Sequence, residues 1–67
     1  MDTQYIVNSL KSTSYKFTKA QQLRDRIKQL PEDSRERLLD ELKIALKRPE
    51  HSDIHQAMHE MLSGLGS

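Results

Sequence analysis

The sequence predicts an all-α fold: a small bundle of about three to four short helices around a central αα-hairpin, completed by dimerisation. Three observations predict it. Apolar residues recur at spacings of three and four over most of residues 20 to 65. Pro31 and Pro49 bracket a run, EDSRERLLDELKIALKR, with acids in its first turn and Lys47-Arg48 in its last, the order that complements a helix dipole. The chain has 67 residues, 34% of them hydrophobic, and no cysteine, so neither a large core nor disulfides can hold it. A second copy is the expected source of the missing buried surface.

The N-terminal segment, residues 1–17, is the one place where a strand competes. Tyr5, Ile6 and Val7 favour extended structure, and Ser14 to Thr18 alternates, which allows a hairpin across 4–18. Ile6, Val7 and Leu10 equally fit one helical stripe with Asp2 or Thr3 as N-cap, followed by a polar turn from Lys11 to Ser14. All three aromatic residues, Tyr5, Tyr15 and Phe17, lie in this segment, so it is expected to pack on something.

A helix over 18–30 follows, with Thr18 and Gln21 forming a capping box and Ala20, Leu23, Ile27 and Leu30 a narrow seam. Pro31 ends it, because the residue before a proline is pushed out of α geometry. The next helix, 32–48, carries Leu38, Leu42 and Ala45 on one line with Leu39 and Leu46 beside them and Ile44 off it. That wide arc suits a helix contacted from two sides. Leu23, Ile27, Leu38 and Leu42 are the expected core or dimer seam. The last helix, 52–64, is capped by Ser52 or Asp53, carries Ile54, Ala57, Met58, Met61 and Leu65 on its apolar face, and ends at Gly64 and Gly66. The whole chain is one domain.

A net charge of +1 conceals two unlike halves. Residues 1–30 carry six bases against two acids and residues 31–67 five against eight, near +4 and −3. Lys16, Lys19, Arg24, Arg26 and Lys28, close to Tyr15 and Phe17, have the composition of a phosphate-contacting patch, although they flank the Leu23/Ile27 seam rather than forming one stripe.

His51, His55 and His59 recur every four residues, a spacing at which neighbouring imidazoles can chelate a metal. His51 falls at the helix start and no carboxylate completes a site, so no metal and no other cofactor is expected. Their other readings are boundary histidines that shield the edge of a packed helix and a contact that responds to protonation beside an apolar seam. There is no Gly-rich phosphate loop, no activated nucleophile and no pair of carboxylates free of capping work, which argues against an enzyme. No apolar run reaches a membrane span and MDTQYIV lacks the form of a signal peptide, so a cytoplasmic protein without membrane contact is expected.

The sequence therefore points to a homodimeric regulator or inhibitor that binds a surface on another protein. If the face of the last helix is exposed, Ile54, Met58, Met61 and Leu65 would be laid into the partner's groove; otherwise Met58 and Met61 fill irregular gaps in a small core. The alternative is a DNA-binding, antitoxin-like regulator using Lys16, Lys19, Arg24, Arg26 and Lys28.

Overall fold

The computed structural model describes residues 1–65, and every regular element among them is helical. The helices are α1 (Thr3–Lys11), α2 (Lys16–Lys28), α3 (Glu32–Leu46) and α4 (His55–Ser63), with a 3-10 helix at Pro49–Ile54 leading into α4.

α1 settles the competition at the N-terminus. The Asp2 carboxylate accepts from the Tyr5 N–H at 2.9 Å, a side-chain N-cap, and Ile6, Val7 and Leu10 are buried together. A strand would have sent Ile6 and Val7 to opposite faces; a helix keeps both on one side. Among the described residues there is no strand, so the hairpin across 4–18 does not form.

α2 begins at Lys16 rather than at Thr18. Its N-cap residue, Tyr15, contributes no side-chain bond, and its carbonyl accepts from the Lys19 N–H at 2.9 Å. The Thr18–Gln21 capping box is thus inside the helix and unused. The early start is tied to Lys16, whose ammonium donates to the carbonyls of Leu10 and Thr13 at 3.0 and 3.1 Å. One cation closes the C-terminus of α1 while opening α2, satisfying carbonyls that a helix end leaves orphaned.

α3 starts as its sequence requires. Pro31 is extended (φ −55, ψ 151), its carbonyl accepts from the Arg35 N–H at 2.8 Å, and Glu32 and Asp33 occupy the first turn. The helix stops at Leu46, two residues short of the expected end, because Pro49 forces Arg48 into extended backbone (φ −80, ψ 132).

The entry to α4 differs most from expectation. Neither Ser52 nor Asp53 caps it. A 3-10 helix comes first, with His51 outside helical geometry (φ −107, ψ 18), and α-helix begins only at His55. Asp53 is taken by Lys11, whose ammonium reaches its carboxylate at 2.9 Å and the Glu50 carbonyl at 2.8 Å. This is the single ion pair among the described residues.

The Lys11 hydrogen bond holds the Asp53 carboxyl below the ordinary aspartate value, opposed by desolvation and assisted by the ammonium's charge. A depressed folded-state pKa stabilises the fold above the unfolded pKa, and the contribution is lost as pH falls through the folded one. In a carboxyl NMR titration the Asp53 midpoint should lie below that of a free aspartate and return upward in Lys11→Met. A midpoint unmoved by that substitution would show that the pair does not persist in solution.

The core is built from Ile6, Val7, Leu10, Ala20, Leu23, Ile27, Leu38, Leu42, Ala45, Ile54, Ala57, Met58, Met61 and Leu62, all buried, with Leu30, Leu39, Leu46 and Leu65 packed around it. Leu23, Ile27, Leu38 and Leu42, expected as a core or dimer seam, are buried within one copy of the chain. α2 packs chiefly on α4 and then on α1, while α3 packs on α4, α1 and the 3-10 helix. The consecutive helices α2 and α3 do not lie against each other as the expected central hairpin. The link between Lys28 and Glu32 is short, and Pro31 holds it extended, so α3 leaves in a new direction. A radius of gyration of 10.7 Å is that of a chain folded fully on itself, close to the ~11 Å expected for this length.

Candidate functional site

The residues proposed from sequence to enter a partner's groove lie mostly inside the molecule. Ile54 and Met58 are wholly buried and Met61 nearly so; Leu65 is part-buried on the edge of the same cluster. Their stripe faces α2, α3 and the 3-10 helix. In this conformation only Leu65 of the four offers surface to another molecule.

The five basic residues are dispersed, and three of them act within the fold. Lys16 closes the end of α1. Arg26 donates to the Tyr5 hydroxyl at 3.2 Å and sits 5.6 Å from the centre of that ring. The same hydrogen bond, followed by one from Ser9 and by the guanidinium's charge, holds the Tyr5 phenol below its ordinary pKa. Arg24 lies part-buried across the last turn of α4, where its side chain occupies the space that a Cβ on Gly64 would take. Gly64 has φ −74, so it is needed there for its small size rather than for a left-handed turn. Gly66, also expected to end the helix, lies outside the described residues. Lys19 is part-buried, which leaves Lys28 as the one fully exposed member without a bonded partner among the described residues.

The three histidines do not form a line. His51 belongs to the 3-10 helix, whereas His55 and His59 are one turn apart on α4 with their rings stacked, 6.5 Å between centroids and 19° between planes. No group of three or more potential metal ligands converges among the described residues.

What remains outside the core is more telling. None of the three aromatic residues enters it: Tyr5 is 45%, Phe17 52% and Tyr15 76% exposed, and Ile44 is 60% exposed. Phe17 forms a ridge between two open depressions over the α2–α4 junction. One, of about 270 Å³, is lined by Ala20, Gln21, Arg24, Glu60 and Met61; the other, of about 500 Å³, by His55, Gln56, His59 and Glu60. A third depression, of about 470 Å³, lies between α1, α3 and the 3-10 helix, bordered by Thr3, Val7, Glu41, Ile44, Arg48 and His51. There the Thr3 hydroxyl donates to Glu41 at 2.7 Å.

Phe17 could have been found in the sequence once α2 is started at Lys16. On that helix it falls well to one side of the Ala20, Leu23, Ile27 seam. Ile44 was already off the α3 line, and it is exposed, while Leu39 and Leu46 beside that line pack against the core.

Comparison with the models of known families, with curated proteins and with solved structures found no match. No helix among the described residues is long and apolar enough to cross a membrane.

Proposed function

We propose that this chain is a non-enzymatic interaction module that regulates another protein by covering part of its surface, and that it binds through the α2–α4 face centred on Phe17. The observation that carries this reading is the exclusion of every aromatic side chain from a core that closes without them. A chain short of apolar residues gains stability by burying its largest rings, so leaving Phe17 and Tyr15 outside favours a use at the surface. Aromatic side chains supply much of the energy at protein interfaces, and Phe17 stands between two concave areas with polar rims. The Ile54/Met58/Met61 stripe serves this reading as the support of that face.

DNA binding through the basic half has weaker support. Lys16 and Arg26 are bonded within the fold, Arg24 lies part-buried against Gly64, and the remaining charges form no continuous stripe. The two readings separate on one comparison. Affinity capture with the native chain and with Phe17→Ala should recover a host protein that the variant loses, while both chains melt within a few degrees of each other. Loss of one central aromatic contact typically weakens binding by about tenfold or more. Duplex DNA affinity that falls steeply with salt and is untouched by Phe17→Ala would replace this proposal with the nucleic-acid reading.

A further inference from the structure

α4 presents two histidines whose ring nitrogens do nothing for the fold. His55 and His59 lie one turn apart, both exposed, with 6.5 Å between ring centroids and 19° between planes. No hydrogen bond or ion pair engages either ring among the described residues. The sequence offers two pairs at this spacing, His51/His55 and His55/His59, and the structure keeps only the second. His51 leaves helical geometry (φ −107, ψ 18), its Nδ1 is buried, and it borders the depression between α1, α3 and the 3-10 helix.

We propose that His55 and His59 chelate one divalent transition-metal ion of the zinc, copper or nickel class. Residues four apart on a helix have Cβ atoms about 5–6 Å from each other and project the same way. An ion held at ~2.0–2.1 Å by each imidazole needs the two nitrogens within about 4 Å of one another. Rings that already face each other reach that separation by tilting together, and because both are exposed the rotation disturbs no core contact. Imidazole suits zinc, copper and nickel, whereas magnesium and calcium require oxygen ligands, and copper should bind tighter than nickel or zinc. Two protein ligands leave the other positions to water, and Glu60, lining the same depression, adds a negative charge nearby. Gln56 stands where the zinc-binding pattern His-Glu-x-x-His carries its general base. The pair therefore holds an ion without supplying that base for hydrolysis, consistent with the non-enzymatic reading above.

Titration of the untagged chain with zinc, copper(II) and magnesium chlorides, followed by calorimetry and by the imidazole NMR signals, tests the site. Zinc and copper should bind one ion per chain and perturb the His55 and His59 signals together, leaving His51 unchanged. His55→Ala and His59→Ala should each weaken binding by about tenfold or more, because the second nitrogen of an intramolecular pair is lost. His51→Gln should keep the parent affinity. Both alanine substitutions are on the exposed side of α4, and a melting curve for every variant checks that it remains folded. Zinc should raise the melting temperature of the parent more than that of either alanine variant, since the chelate requires the α4 turn to be intact. Zinc and copper affinities weaker than roughly 1 mM, equal affinity in the parent and His59→Ala, or loss of binding in His51→Gln would each overturn the proposal. Magnesium binding as tightly as zinc would overturn it equally. None of these results depends on the Phe17 reading.

Discussion

Met58→Asp should leave the chain unfolded at 25 °C. The side chain is wholly buried in the apolar core, whose buried members include no polar or charged residue among those described. Burying an unpaired charge costs several kcal/mol even after relaxation. A domain of this size holds only about 3–5 kcal/mol in total. The substitution therefore removes all of the stability margin, and the far-ultraviolet circular dichroism of the helices should collapse. A cooperative melt within a few degrees of the parent would show that α4 is not docked on the core in solution. It would also restore the idea that its apolar stripe is offered to a partner.

Leu42→Ala carries the second largest expected effect, and Ile44 supplies its internal control. Both residues are on α3, two positions apart, yet Leu42 is fully buried and Ile44 is 60% exposed. Truncating a buried leucine costs about 2–5 kcal/mol, depending on how far the cavity collapses. Truncating Ile44 removes little packing within the chain and puts the best helix former in its place, so the change should stay within about 0.5 kcal/mol. Urea titration of the two variants at low protein concentration measures both. Equal losses would mean that the assigned rotation of α3 about its axis is wrong.

The helical class and most of the core were legible because they rest on local physics. Spacings of three and four set the buried face of each helix, Asp2 is a strong cap, and prolines at 31 and 49 leave little choice about where α3 can run. The boundaries that sequence misplaced are those decided by distant partners. Thr18 is the better local N-cap, but α2 starts two residues earlier, where Lys16 can bond the end of α1. Asp53 is a good cap for a third helix, but Lys11, 42 positions before it, takes its carboxylate.

The pairing of helices was less accessible still. α2 and α4 both carry narrow apolar seams, and nothing in their periodicity says that they prefer each other to the helix between them. Surface function was the least legible. Whether Met58 or Phe17 faces outward depends on which stripe the other helices cover, and both residues are apolar and helical in the sequence.

The dominance of the α2–α4 contact has a consequence for how the chain is made. A nascent chain that ends at Leu46 holds α1, α2 and α3 but lacks the surface on which α2 mainly rests. Short helices of 9 to 15 residues are marginal without such support. Productive collapse must therefore wait until residues 55–63 have cleared the ribosomal exit tunnel, so the helices close on one another together rather than one by one as each is made.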